Sequence, residues 1–403
     1  MDFPDFRSRD TLLTHIRHTM GFYHPRCIDD CGGFFHFFKD DGTVYDRDTR
    51  HLVSSTRFVY NYATAYRRFG DPAYLEAVRH GLAYLRNRHI QPNGGYAWLI
   101  HGANVEDATN HAYGLAFVML AYAHGLMVGV AEARRWLDEI WETLENRFWF
   151  AADGLYADEA DGQWQSISPY RGQNANMHLC EALLAAYQAT WEPRYMDRAA
   201  LLARNMTMRQ SKLTVGTCEA AEGVPHGLVW EHYHTDWSID WDYNRDDPAN
   251  LFRPWGFQPG HQIEWAKLLL IIERHRPAAW LVPRARALFD AAWRLAWDGQ
   301  HGGLHYGIAP DGSVCDPDKY FWVHAEAIAA AALLAARTRD AGYWDRYDAL
   351  WRYCWEHFVD HEHGAWWRIL DGQNRKYSDE KSPAGKVDYH TMGACHEVLE
   401  VLH

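Results

Sequence analysis

Apolar segments with the composition of buried helices recur along the chain at intervals of 54 to 83 residues. Each opens with a polar residue, most often histidine, and continues with alanine, leucine and aromatic side chains, as in HAYGLAFVMLAY and HAEAIAAAALLAA. A helix that is apolar around its whole circumference must be buried. The six segments begin at Arg57, His111, His178, His261, His324 and His390.

Amphipathic helices are predicted around these apolar ones. Segment Pro72–His89 places Tyr74 and Val78 at helical spacing, with charged residues on the opposite side. The dipeptide Asp71-Pro72 is typical of a helix start, because proline is favoured at the first helical position. Six segments have the amphipathic pattern: Arg9–Tyr23, Pro72–His89, Val130–Trp149, Pro193–Met206, Trp280–Trp297 and Tyr343–Phe358.

Segments rich in glycine and aromatic residues follow the amphipathic helices. They read NGGYAW, DGLYAD, HGLVWEHY, HGGLHYG and HGAWWR, a composition typical of β-hairpins or tight turns. The repeating unit is therefore an apolar helix, an amphipathic helix and a short hairpin. Six such units predict an all-α fold, an (α/α)6 barrel with short β-hairpins in its loops, in which residues 1–403 form a single domain.

Composition narrows the classes of function. The 403 residues include 53 Asp and Glu against 40 Lys and Arg, a formal net charge of −13, and 48% of them are hydrophobic. This composition excludes a disordered chain, and the acidic balance disfavours nucleic acids and membrane surfaces as partners. The start MDFPDFRSRD lacks a secretory signal pattern, and the seven cysteines are odd in number and scattered. Reduced thiols and a cytoplasmic location are therefore expected.

Candidate chemistry lies at the starts of the apolar helices. In an (α/α)6 barrel the amino termini of the inner helices converge at one end, so the six polar residues at these starts are expected to face one cavity. His178 with Glu181, and His261 with Glu264, have the i, i+3 spacing of one helix face. A ring of histidines at equivalent positions of a repeat is hard to explain by packing alone.

The fifth apolar helix carries three candidate residues close together. Glu326 lies two residues after His324, so their side chains are expected to point apart, with only one of them in the cavity. Trp322, just before them, is expected to give the cavity an aromatic floor. Such a surface can stack against a sugar.

Three chemistries remain open for a cavity of this kind. A metal site would use histidine and carboxylate ligands in a tight cluster, but the sequence has no HExxH or Asp-rich motif. A glycosidase would need a pair of carboxylates, whereas histidine dominates these helix starts. Proton transfer at a carbon next to a carbonyl needs a base that titrates near neutrality, and histidine suits this third chemistry best.

Several long strings resemble a known family, the N-acylglucosamine 2-epimerase superfamily. They are RFVYNYA (57–63), RGQNANMHLCEALLAAY (171–187), YNRDDPANLFRPWGFQPGHQIEWAKLLL (243–270), YFWVHAEAIAA (320–330) and VDYHTMGACHEV (387–398). Within the superfamily they look most similar to the aldose–ketose isomerase branch, which includes mannose isomerase and sulfosugar isomerases. The resemblance covers nearly the whole chain and implies an (α/α)6 barrel that works without a metal or another cofactor.

The resemblance also implies roles for individual residues. His390 matches the principal catalytic histidine of the family, and His261 matches its second acid–base group. His111 is added to the substrate-binding candidates because it opens an apolar helix, and Arg253, in the loop before His261, is a further candidate. Region 207–256 is expected to form a loop or lid. The substrate-binding candidates are Arg57, His111, Asn174, His178, Arg253, Glu264, Trp322 and Glu326.

The activity implied by the resemblance is interconversion of D-mannose and D-fructose, with D-lyxose and D-xylulose as a further pair. The reaction would pass through a cis-enediol, with His390 moving the carbon-bound proton and His261 working on the oxygens. Alternatives are a sugar 2-epimerase of the N-acylglucosamine or cellobiose type, a sulfosugar isomerase, and a non-catalytic binding protein. The expected partner is a monosaccharide, and a homo-oligomer remains open.

Overall fold

The computed structural model describes residues 3–217, 227–250 and 252–402. Helices dominate this part of the chain, and twelve α-helices follow one another along it. They are α1 (Arg9–Tyr23), α2 (Leu52–Phe69), α3 (Pro72–Tyr84), α4 (Ala112–Met127), α5 (Ala133–Arg147), α6 (Gln173–Thr190), α7 (Pro193–Arg204), α8 (Pro259–His275), α9 (Leu281–Ala296), α10 (Phe321–Thr338), α11 (Ala341–His357) and α12 (Tyr389–Leu399).

Short strands connect the helices, and each has two to four residues. They are β1 (Phe37–Lys39), β2 (Val44–Asp46), β3 (Thr49–His51), β4 (Leu99–His101), β5 (Asn104–Asp107), β6 (Asn110–His111), β7 (Trp149–Phe150), β8 (Leu155–Tyr156), β9 (Glu159–Ala160), β10 (Arg171–Gly172), β11 (His232–Tyr233), β12 (Gly307–Ile308), β13 (Val314–Asp316), β14 (Lys319–Tyr320), β15 (Ile369–Leu370) and β16 (Glu380–Ser382). The antiparallel hairpins β4–β5, β7–β8 and β12–β13 lie within or directly after three of the glycine-aromatic segments, and β3 adds a third strand to β4–β5.

Contacts divide the chain into two compact units. Unit I comprises Tyr23–Leu202 and Glu380–Tyr389, and unit II comprises Met1–Phe22, Ala203–Asp379 and His390–His403. In unit I, α2, α4 and α6 pack side by side, with α3 and α5 against them. In unit II, α8 packs against α9 and α10, and α10 packs against α11. The prediction that residues 1–403 form one domain stays a prediction.

The alternation of buried and amphipathic helices is the one that the sequence predicted. Every residue of α8 from Pro259 to Glu273 is buried, whereas only four residues of α5 are. A helix buried on all sides needs amphipathic neighbours to separate it from water, and the odd-numbered helices supply them. The all-α class with (α/α)6 alternation is therefore confirmed. None of the helices in the described residues is both long and apolar enough to span a bilayer.

Local signals explain where the helices begin and end. Helix α1 has the bounds predicted from its pattern, and Asp71 caps α3 through the backbone N–H of Ala73, 3.0 Å away. Helix α2 begins at Leu52, five residues before the predicted start at Arg57, because the His51 side chain accepts the Val53 N–H.

The six polar residues, expected at the starts of the apolar helices, do not all occupy the same position in their helices. Arg57 and His178 lie in the second turns of α2 and α6, whereas His111 is the amino-terminal cap of α4. The other three histidines lie in the first turns of α8, α10 and α12. The hairpins before the helices differ in length and capping, so the repeat in sequence does not translate into one register.

Candidate functional site

His390 stands at the start of α12 with a carboxylate behind its ring. Its Nδ1 lies 2.7 Å from Oε1 of Glu326 on α10, and the two residues are only 5% and 2% exposed. A carboxylate that accepts the Nδ1–H fixes the tautomer with its lone pair on Nε2. Glu326 on α10 therefore sets the orientation of the His390 ring.

Glu326 also takes part in a buried ion pair. Its Oε2 lies 2.6 Å from Nζ of Lys267 on α8, and the same ammonium is 3.9 Å from Oε1 of Glu264. Ligand atoms of Glu264, Glu326 and His390 come within 4.8 Å of one another, close enough to be considered for a cation. The Lys267 ammonium already provides the positive charge there, so the group is suited to proton transfer rather than to a divalent ion.

His261 has a carboxylate partner of its own. Its Nδ1 lies 2.9 Å from Oε2 of Glu231, which is 3% exposed. Glu231 is held beside α8 by Gln262, whose side chain accepts the Val229 N–H at 2.9 Å and donates to the Val229 carbonyl at 2.8 Å. Both catalytic candidates are thus histidines hydrogen-bonded to a buried glutamate.

Trp322 contacts both histidines. Its ring centroid is 5.1 Å from that of His261 and 5.6 Å from that of His390, with tilts of 34° and 38°. The indole packs closely on α8, because a Cβ placed on Gly260 would lie 2.5 Å from the ring. We call these two histidines, Trp322 and their buried partners the Trp322 cluster. It combines two acid–base groups with an apolar face in unit II.

Arg57 is the charged centre of a second cluster, in unit I. Its guanidinium donates to the Gly385 carbonyl and, at 3.2 Å, to the Tyr113 hydroxyl. It also lies 4.4 Å over the Phe117 ring and 4.7 Å over the Tyr389 ring. These contacts hold a buried positive charge in one orientation, as the stabilisation of a developing anion requires.

His178 belongs to the same cluster. Its ring centroid is 5.1 Å from Tyr113 and 4.9 Å from Phe117, the residues that also contact Arg57. Its Nδ1 lies 3.1 Å from Oε2 of Glu181, the i, i+3 partner named from the sequence. The Arg57 cluster thus contains an arginine, a histidine, two phenols, a phenylalanine ring and a carboxylate.

Three other candidates lie outside these contacts. His111 is half-buried, with Nδ1 3.4 Å from Glu159 and its ring 4.2 Å from Trp98. Asn174, in the first turn of α6, has a buried Oδ1 that no donor of the described residues reaches. Arg253 donates to the Tyr243 hydroxyl at 3.0 Å. The structure groups none of the three with the Trp322 cluster by a described contact.

The prediction that His324 faces a cavity was wrong. Nδ1 donates to the Tyr320 carbonyl and Nε2 accepts the Leu304 N–H, each at 2.8 Å, so both nitrogens are used by the backbone. The ring is fully buried, stacked at 4.9 Å on Tyr353 of α11. Burial lowers its pKa to about 3. As the spacing predicted, Glu326 points elsewhere, to His390.

This environment predicts acid destabilisation. Because the folded pKa of His324 is depressed from 6.5 to about 3, the unfolded state binds the proton first, and stability falls as pH decreases from about 6.5 towards 3. The loss reaches about 2 kcal/mol for this group by pH 5. We expect the Tm to fall between pH 7.5 and pH 5, and His324→Asn to make that fall smaller. Equal falls in both proteins would contradict this account.

Comparison with known proteins gives the family. The family model for N-acylglucosamine 2-epimerase matches residues 33–394. The chain belongs to the N-acylglucosamine 2-epimerase family. The resemblance found in the sequence motifs is therefore confirmed, and the chain is an enzyme of the isomerase class.

Individual relatives refine this position within the family. A D-mannose isomerase of Marinomonas mediterranea is 56% identical over 402 residues, which is 100% of both chains. A D-mannose isomerase of Thermobifida fusca is 36% identical over 75% of this chain and 73% of its own. A crystal structure of D-mannose isomerase has 55% identity and a TM-score of 0.95, and covers 99% of this chain and 100% of that one.

A more distant solved structure shares the fold. The structure of cellobiose 2-epimerase from Spirochaeta thermophila is 23% identical, with a TM-score of 0.84 over 98% of this chain and 96% of that one. At this identity the likeness concerns the fold alone.

Several residues of the Trp322 and Arg57 clusters were not predicted from the sequence. Glu231 lies in a glycine-aromatic hairpin segment with no periodic signal, so only the folded chain brings it to His261. Lys267 did carry a signal, since its helix was predicted to be buried and a buried lysine is rarely without a partner. Tyr113 follows His111 by two residues and was read as part of an apolar helix.

Proposed function

We propose that the chain is an aldose–ketose isomerase that interconverts D-mannose and D-fructose. The observation that carries this proposal is the 56% identity, along both full lengths, to a D-mannose isomerase. The Trp322 cluster supports the chemistry, because two histidines with buried carboxylate partners are the groups that proton transfer next to a carbonyl needs.

The proposed reaction begins with opening of the sugar ring to the free aldehyde. A base then removes the proton from C2, which leaves a cis-enediol or enediolate. Return of a proton to C1, with transfer of a proton from the C2 hydroxyl to the C1 oxygen, gives the ketose. The reaction is a redistribution of protons, so atoms and electrons balance without an external oxidant or reductant.

We assign the two histidines different parts of this reaction. His390 moves the carbon-bound proton between C2 and C1, because Glu326 fixes the tautomer in which Nε2 accepts a proton. His261 exchanges protons with the sugar oxygens and assists ring opening, with the Glu231 carboxylate at its Nδ1 holding the ring in orientation. Arg57, whose guanidinium is locked in position, is assigned to the negative charge of the enediolate.

Other outcomes belong to the same chemistry. A 2-epimerase would return the proton to the opposite face of C2, and a sulfosugar isomerase would differ only in the group at C6. D-lyxose, with the same configuration at C2 as D-mannose, is proposed as a further substrate. The 56% identity to a D-mannose isomerase favours the isomerase over the epimerase, since the cellobiose 2-epimerase of Eubacterium cellulosolvens is 22% identical.

Trp322 is expected to contribute to sugar binding. Trp322→Ala removes the apolar face between the two histidines, and we expect KM to rise about tenfold with a smaller change in kcat. Trp322→Phe keeps an aromatic ring, so its KM should lie between those of wild type and Trp322→Ala. Steady-state kinetics and the Kd of mannitol, an unreactive sugar alcohol, measure the effect. Unchanged KM and Kd in the folded alanine variant would make Trp322 purely structural.

A panel of sugars tests the proposed function. Purified protein is incubated separately with D-mannose, D-fructose, D-lyxose, cellobiose and N-acetylglucosamine, and the first products are identified by chromatography. We expect fructose from mannose, mannose from fructose, and no product from N-acetylglucosamine or cellobiose. Glucose as the first product from mannose, or conversion of cellobiose alone, would contradict the proposal and favour a 2-epimerase.

A further inference from the structure

We propose that Lys267 is a positioning residue that keeps His390 in its neutral, proton-accepting form through Glu326. This inference rests on the proposed function, in which His390 is the base at carbon. Lys267 is not expected to touch the sugar. Its effect passes through the carboxylate that it shares with the histidine.

The contacts of Glu326 carry the inference. One carboxylate oxygen is 2.7 Å from Nδ1 of His390, and the other is 2.6 Å from Nζ of Lys267. All three side chains are almost completely buried, with exposed fractions of 5% for His390, 2% for Glu326 and 6% for Lys267. The carboxylate therefore lies between the amino group of Lys267 and the ring that gains and loses a proton in the proposed reaction.

Electrostatics gives the direction of the effect. A carboxylate beside a histidine favours the imidazolium, which cannot accept a proton from carbon. An ammonium on the far side of that carboxylate offsets its charge and returns the balance towards neutral imidazole. Because the ring and the ammonium contact the two oxygens of one carboxylate, the two charges interact over a short range, and loss of the ammonium is expected to displace the acid side of a pH profile to higher pH.

The neighbouring charges of unit II do not cancel this effect. Glu264, on the same helix as Lys267, adds a second carboxylate that faces His390, and its Oε1 is 3.9 Å from the ammonium. His261, at the start of that helix, contacts the same Trp322 ring. Without Lys267 the two glutamates would both act on His390 uncompensated, so loss of the ammonium can only favour protonation of the cluster.

The test compares pH profiles of kcat for mannose conversion in wild type, Lys267→Met and Lys267→Arg. The acid limb is the part of the profile where kcat falls as the pH decreases. We expect the acid limb of Lys267→Met to lie at higher pH than that of wild type by roughly one to two units, with turnover recovering at alkaline pH. Lys267→Arg keeps the charge and should keep the wild-type limb. A role confined to packing would lower stability without moving the limb.

Arg337→Met is the matched control. Arg337 on α10 pairs with Glu273 on α8 at 2.7 Å and 2.9 Å, so its loss removes another ion pair between the same two helices, far along them from the cluster. Its acid limb should match that of wild type. An unmoved limb in Lys267→Met, or an equal movement in Arg337→Met, would overturn the inference.

A second variant and a prior measurement on wild type allow a conclusion even if Lys267→Met does not fold. If Lys267→Met does not fold, Lys267→Gln removes the charge while keeping an N–H donor, and the same displacement of the limb is expected. An unmoved limb in folded Lys267→Gln overturns the inference equally. Wild-type conversion of mannose is scored first, so absence of that activity counts against the proposed function and not against Lys267.

Discussion

His390→Asn is expected to reduce kcat for mannose conversion by about 10²- to 10⁴-fold, the range that general acid–base groups contribute. Asparagine keeps a hydrogen-bonding group that can contact Glu326 but cannot accept a proton near neutral pH. Because His390 is assigned to the carbon-bound proton, exchange of the C2 proton of mannose with solvent should disappear in parallel. Rates and exchange are measured on the same samples by chromatography and proton NMR.

A second histidine of the same helix provides the control for this variant. His396 lies on α12, as His390 does, and is similarly buried, with 7% of it exposed against 5%. His396→Asn should retain both turnover and exchange when folded. If His390→Asn exchanges the C2 proton at the wild-type rate, another residue, His261 or His178 first, must act at carbon.

His261→Asn is expected to lose turnover by about 10²-fold or more while it keeps part of the exchange. Its proposed work is on oxygen, in ring opening and in proton transfer between O1 and O2. An aldose too short to cyclise, such as D-glyceraldehyde, bypasses ring opening and should still exchange its C2 proton in this variant. His390→Asn should not exchange the same compound.

The comparison of these two variants separates the two roles. Loss of exchange on the short aldose in both variants would mean that the histidines act as one unit at carbon. Wild-type turnover of mannose in His261→Asn would remove this residue from the mechanism altogether. Circular dichroism and thermal unfolding of each variant confirm that the protein is folded.

The fold could be predicted from the sequence because each helix shows, in its own pattern of apolar and polar residues, whether it is buried. The bounds of α1 were predicted to the residue, and those of α5 and α9 to within three and one residues. Such helices are specified by local periodicity, which the sequence displays directly. The start of α2 was missed because it depends on the His51 cap, a contact that comes from a strand and leaves no periodic trace.

The candidate site was readable only in part. His390, His261 and Trp322 were named from the sequence, and the structure brings their rings into contact. His324 has the same position in the repeat, but both of its ring nitrogens are hydrogen-bonded to the backbone. The Leu304 N–H donates to one nitrogen, and the Tyr320 carbonyl accepts from the other. A histidine that opens a helix looks identical in sequence whether it faces substrate or backbone.

The carboxylate partners of His261 and His390 could not be predicted from the sequence. Glu231 is 30 residues before His261 in the chain, and Glu326 is 64 residues before His390. Such pairs exist only after helices and hairpins have packed. The expected lid over residues 207–256 remains a prediction, and residues 218–226 and 251, with Cys218 among them, lie outside the described residues.

Conversion of D-mannose in deuterated water tests the central claim most directly. A cis-enediol with His390 as the base at carbon predicts fructose that carries one deuterium at C1, in a single stereochemical position, and recovered mannose that gains deuterium at C2 as equilibrium is approached. Fructose that remains without deuterium after prolonged incubation would indicate hydride transfer within the sugar. Glucose labelled at C2 as the first product would indicate epimerisation, and either result would contradict the account.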